Sequence, residues 1–131
     1  MQIDENKDVI RRWSEARNRG DIEAALACWV DEAHARLRAN FNGFSKGFPD
    51  VQVNIDEMIG EGGKVVVRWT MTGTHRGVWS GIPATGNVVQ WNGTDIYTIA
   101  NGRITALVRG ADSVALLKQL GAVVTWQDKV I

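Results

Sequence analysis

At Val51 the hydrophobic period of this chain changes, and that switch limits the possible folds more than any other feature. Before it, apolar residues recur at three- and four-residue spacing, as on the buried face of an amphipathic helix. Val9, Ile10, Trp13 and Ala16 carry this pattern over residues 4–18, and Ile22, Ala25, Leu26 and Trp29 carry it to about Val30. A third stretch, from about Ala35 to Lys46, presents Leu37, Phe41 and Phe44. From Val51 onward, Val51, Val53 and Ile55 alternate with Gln52, Asn54 and Asp56, the period of a strand with one wet face. Strands follow over residues 65–75, 88–99 and 103–109. Helices first and strands later, without βαβ alternation, predict an α+β domain with an antiparallel sheet.

Punctuation supports these boundaries. Gly20 stops the first helix and Asp21 caps the second. Pro49 turns the preceding residue away from helix and ends the third. Asp112 and Ser113 can cap a short closing helix with Val114, Leu116, Leu117 and Leu120, stopped by Gly121. Gly60-Glu61-Gly62-Gly63 is a hairpin turn rather than a phosphate loop, because no helix follows it. The length, 131 residues, suits one domain over 1–131.

Charge and cysteine content narrow the function classes. Fifteen basic and fifteen acidic residues cancel, so no global field draws the chain to nucleic acid or anionic lipid. No apolar run approaches the roughly 20 residues that span a bilayer. The first residues are acidic and polar, unlike a signal peptide, and predict a cytoplasmic protein. Cys28 is the only cysteine, and the two histidines, His34 and His75, are far apart, so neither a disulfide nor a metal cluster is expected.

Strand faces single out candidate site residues, because alternate side chains point to opposite sides. One face of the third strand holds Val89, Trp91, Gly93, Asp95, Tyr97 and Ile99. Asp95 is therefore a carboxylate in an apolar row, and a buried charge needs a partner. A three-residue hairpin loop, Ala100-Asn101-Gly102, sets Asp95 opposite Leu107 and makes Arg109 its diagonal neighbour. A two-residue loop at Asn101-Gly102 sets Val108 opposite Asp95 and sends Arg109 to the other face. The first register keeps Ile104, Ala106 and Val108 together on the opposite face and is the expected one. On the second strand Trp69, Met71, Gly73 and His75 share a side, and His75 stands before a glycine-rich loop where it could line a pocket mouth.

From the second strand onward the chain resembles the SnoaL-like polyketide cyclases of the nuclear-transport-factor-2-like superfamily. The resemblance is carried by Val65 to Gly77 and by Gly81-Ile82-Pro83-Ala84-Thr85-Gly86. Asp95-Ile96-Tyr97, Asn101-Gly102-Arg103-Ile104 and Leu116-Leu117-Lys118-Gln119-Leu120-Gly121 extend it. Asn18-Arg19-Gly20-Asp21 and Phe48-Pro49-Asp50 also fit. It implies a cone: a strongly curved antiparallel sheet wrapped around N-terminal helices, with a deep apolar cavity, commonly as a homodimer. In the cyclases an acid on the last strand is the general base of a cofactor-free aldol ring closure, helped by polar side chains on the preceding strand.

The residues depart from that pattern. Counted without gaps from the Gly102 turn, the catalytic acid falls on Arg109, the assisting histidine on Asp95 and the assisting glutamine on Gly93. An arginine cannot act as a base at neutral pH. Residues 30–36 stand where relatives place a longer stretch with a first strand and a closing loop, and a shortened segment implies an open pocket. Three readings follow. The first is a cofactor-independent enzyme on an apolar, oxygen-bearing small molecule. Its catalytic pair would be Asp95 and Arg109, with Trp69, Met71, His75, Trp91 and Tyr97 binding substrate. The second is a binding domain with the same pocket and no turnover. The third is an interaction module whose sheet supports dimerisation.

Overall fold

The computed structural model describes residues 2–127 and 129–130. Three helices lead: α1 (Gln2–Asn18), α2 (Ile22–Leu26) and, after a 3-10 turn at Asp31–Ala33, α3 (His34–Gly47). Four strands follow, β1 (Gln52–Glu61), β2 (Lys64–Thr74), β3 (Val88–Ala100) and β4 (Arg103–Ala111), then α4 (Ser113–Gln119). Thr125–Trp126 and Lys129–Val130 form a small terminal hairpin that the hydrophobic pattern does not announce. The four long strands make one antiparallel sheet in sequence order. This is the α+β architecture expected from the change of period, with the helices laid on the concave side of the sheet.

Capping holds as expected: Asp21 accepts from the Ala24 N–H at 3.1 Å and Asp112 from the Ala115 N–H at 3.0 Å. Two polar clasps fix the helices to the sheet. Asn18, at the end of α1, donates from Nδ2 to the Val53 carbonyl at 2.7 Å and accepts from the Val53 N–H at 2.8 Å. Asp50 accepts from both the N–H and the hydroxyl of Thr74, each at 2.7 Å.

Burial alternates along β3 as read from the sequence, with Val89, Trp91, Asp95, Tyr97 and Ile99 inside. The β3–β4 hairpin differs from both expected registers. Asn101 and Gly102 both have positive φ (53° and 76°), the two-residue turn that an Asn-Gly pair favours, so Ala100 pairs with Arg103 and Ile99 with Ile104. A bulge then inserts Thr105, and pairing resumes with Thr98 opposite Ala106. The short turn and the bulge each move the downstream register by one residue relative to the three-residue loop. Asp95 therefore lies directly opposite Arg109 rather than diagonal to it, and Gly93 faces Ala111. Ile104 belongs to the core, while Ala106 and Val108 are exposed, so these three do not share a face.

The interior is filled with rings. Trp13 meets Trp29 at 5.4 Å and Phe41 at 5.7 Å between ring centres, and Trp29 meets Tyr97 at 6.4 Å. Farther along the cone, Phe48 stacks on Phe44 at 5.3 Å and contacts Trp79 and Trp91. These side chains fill much of the space inside the cone. The interior space that remains beneath α1 is about 10 Å³, room for roughly one water. Nor does the short 30–36 segment leave the cone open. Trp29 bridges directly to Ile104 of β4, and its ring occupies the interior.

Candidate active site on the concave face

Asp95 is 1% exposed in the middle of β3. Its Oδ2 lies 3.5 Å from an Arg109 amino nitrogen, whereas Oδ1 is buried with no partner. The pair is single-pronged, and its two members differ in exposure, since the Arg109 side chain is 46% exposed. Arg109 thus reaches from solvent down to a carboxylate that solvent does not touch. The rung that joins them is set by the bulge at Thr105, without which Arg109 would point to the convex face.

A second cation approaches from the helices. Arg17 lies one turn beyond Trp13 on α1, and its guanidinium carbon sits 5.0 Å from the centre of the Trp13 ring. Its Nε is buried without a partner. Burial draws the Arg17 guanidinium below its ordinary value; the charges of Tyr97 and Asp95 oppose that shift and that of Arg109 adds to it. Sequence reading did not single out Arg17. The signal was present, for Ile10, Trp13 and Arg17 follow the three- and four-residue spacing that marks the buried face of α1.

The remaining expected residues divide into two groups. Tyr97 and Trp69 flank the small interior space together with Arg17 and Trp13. The Tyr97 hydroxyl accepts from Trp13 Nε1 at 3.3 Å, and burial pushes its ionisation upward. Trp69 lies across Gly93, where an added Cβ would sit 2.5 Å from the Trp69 ring and 2.6 Å from the Gly110 carbonyl. Its Nε1 is buried without a partner. Met71 and Trp91 pair across β2 and β3 nearer the other end of the sheet, where Trp91 joins the Phe44–Phe48 rings.

His75 does not line a pocket mouth. It is fully buried, stacks on Phe48 at 5.4 Å, and its Nδ1 accepts from the Thr85 N–H at 3.2 Å with the Thr85 hydroxyl at 2.9 Å. It anchors the 76–87 loop, eight residues along β2 from the partner of Asp95, roughly 26 Å of strand.

Among the described residues no three His, Cys, Asp or Glu side chains converge on a point that could hold a metal, and no helix is long and apolar enough to cross a membrane. A larger polar cleft of about 510 Å³ runs between the start of α1 and the Asn101–Gly102 turn, and shares no residue with the interior space.

Residues 7–120 match the SnoaL-like polyketide cyclase family. The chain belongs to that family. Its backbone superposes on AclR from Streptomyces galilaeus with a TM-score of 0.84 at 25% identity, covering 91% of this chain and 97% of that one. TsrD from Streptomyces laurentii gives 0.84 at 26% identity, covering 90% and 96%. IdmH from Streptomyces antibioticus gives 0.80 at 23% identity over 89% and 99%, a likeness of fold. No curated protein matches the chain.

Proposed function

We propose that this SnoaL-family protein performs cofactor-independent acid–base chemistry on an apolar, oxygen-bearing small molecule, with Asp95 as the proton-accepting carboxylate. The observation that carries the reading is the state of Asp95: enclosed, held on one oxygen by Arg109, and without a partner on the other. A buried polar atom left unpaired carries a cost, and such atoms concentrate where chemistry needs them. In the cyclases that the sequence resembles, the acid stands on the last strand with polar helpers on the strand before. Here acid and cation occupy one rung of the β3–β4 ladder with the strands exchanged.

Arg109 engages only Oδ2, which leaves Oδ1 free to accept a proton. It suits a carbon acid already activated, such as the methylene between two carbonyls of a polyketide-like chain. Arg109 fixes Oδ2, and the surrounding rings exclude water. The test is solvent deuterium uptake at the activated carbon of a β-keto ester, measured above the buffer rate with wild-type protein and with Asp95→Asn. Wild type should accelerate exchange, and the variant should lose about a hundredfold or more of that acceleration at unchanged stability. Equal rates would remove Asp95 from the chemistry. Binding of the ester with no acceleration by wild type would favour the non-catalytic pocket.

A homodimer formed through the convex face of the sheet accompanies this reading. Ile59, Val66, Ile96 and Val108 lie on one line across all four strands, each paired with the next. Three of them are exposed, Val108 at 68%. A line of branched side chains across the sheet can meet its own copy about a two-fold axis, which a two-fold contact requires.

A further inference from the structure

The interior space beneath α1 has a chemical bias that its size conceals. Two of the residues lining it, Arg17 and Trp69, each carry a buried N–H with no acceptor, at Nε and Nε1. Tyr97 and Ser14 add hydroxyls, and the rest of the lining is apolar or aromatic. No carboxylate lines it, although Asp95 stands two residues from Tyr97 on the same face of β3. Arg109 pairs with Asp95 at 3.5 Å, whereas no carboxylate pairs with Arg17 among the described residues. A space with spare donors, a guanidinium in its wall and room for one atom the size of a water is complementary to a single negatively charged oxygen.

We infer that this space is an oxyanion site, in which Arg17 Nε–H and Trp69 Nε1–H donate to the oxygen of the ligand that gains negative charge. The inference rests on Asp95 acting as base. When Asp95 accepts the proton, the C–H electron pair becomes the new C=C bond and the carbonyl π pair moves onto oxygen. One negative charge leaves Asp95 and one arrives on the enolate oxygen, so the protein needs donors there that were idle beforehand. Fixed donors in an enclosed site stabilise such charge without having to reorient. Arg17 is held for this by its stacking on Trp13 and by the Asn18 clasp on β1 at the next residue. Trp69 is held by the absence of a side chain at Gly93.

The test uses a hydroxynaphthoquinone, which is an enolate at neutral pH, and its neutral methyl ether, with tryptophan fluorescence as the readout. The enolate should bind wild type about tenfold or more tightly than the ether, in keeping with charge-assisted hydrogen bonds. Arg17→Met should abolish that preference while leaving the affinity for the ether unchanged. Trp69→Phe, which keeps the ring and deletes one N–H, should reduce the preference about threefold and serves if the Arg17 variant does not fold. Equal binding of both probes to wild type, or an undiminished preference in either folded variant, overturns the oxyanion site and leaves the pocket intact. Failure of both probes to bind overturns the site and the pocket together.

Discussion

The two faces of the four-stranded sheet are built from the same strands and often from adjacent residues, yet they follow opposite rules. On the concave face Trp69, Trp91, Tyr97 and Asp95 are nearly sealed, and the space left beneath α1 is about 10 Å³. On the convex face Ile96 and Val108 stand exposed among threonines and charged side chains. Large apolar residues are thus not all spent on the core, and the one carboxylate on the inner face of β3 is not sent to solvent. Each face carries one feature that stability alone does not account for: a buried, half-paired acid inside and an apolar line outside. The comparison teaches that function is to be sought in the residue that violates the rule of its own face.

That contrast can be broken by experiment. Removing a concave ring should do the greatest damage: Trp29→Ala should lower stability by about 3–5 kcal/mol in urea unfolding, whereas Val108→Ala should change the monomer by less than about 0.5 kcal/mol. Similar costs at the two sites would erase the distinction between the faces. Next in size, Ile96→Asp combined with Val108→Asp should raise the dimer dissociation constant at least about a hundredfold by sedimentation while the fold persists. A variant that remains dimeric places the second copy elsewhere.

Smaller effects sharpen the inner face. Gly93→Ala presses a methyl against Trp69 and, less forgivingly, against the backbone of Gly110 and Ala111. It should cost about 1–3 kcal/mol in thermal unfolding. An unchanged melting point would mean that Trp69 can retreat and does not need its place over Gly93. The smallest and cleanest readout is Tyr97, the only tyrosine in the chain. Burial raises its ionisation above the ordinary tyrosine value. A raised value means that its contribution to stability is complete below about pH 10 and is lost as pH rises through the folded value. Ultraviolet titration should therefore show tyrosinate only at higher pH, together with loss of near-ultraviolet circular dichroism. Ionisation at the ordinary value in folded protein would show that water reaches the site.

The sequence spoke clearly where the determinants were local. The change of period at Val51, the caps at Asp21 and Asp112, and the inward row on β3 all follow from neighbours within a few residues. The site was half legible for the same reason: Asp95 stood out within its own strand. Its relation to Arg109 depended on a bulge at Thr105, and neither a three-residue loop nor a plain two-residue turn describes that hairpin. Arg17 was hidden because an arginine near a helix end is ordinarily solvated; only its spacing from Trp13 set it apart. The filling of the interior was least legible. It depends on where α3 places Phe41 and Phe44 against rings from α1 and the sheet, which no strand or helix pattern records.

Thr105 also acts as a one-letter frameshift in β4. Upstream of it, even-numbered Ile104 points inward; downstream, odd-numbered Leu107, Arg109 and Ala111 do. The hairpin spells two messages in different phases, and the extra letter lets both be read. Were Thr105 paired with Thr98 instead of bulged, the rest of the strand would fall back by one place, offering Val108 to Asp95 and turning the guanidinium outward. A slip of one rung far from any catalytic position would thus exchange the contents of both faces at once. Relatives compared across this hairpin by counting alone will pair residues that face opposite ways whenever one has the bulge and the other lacks it.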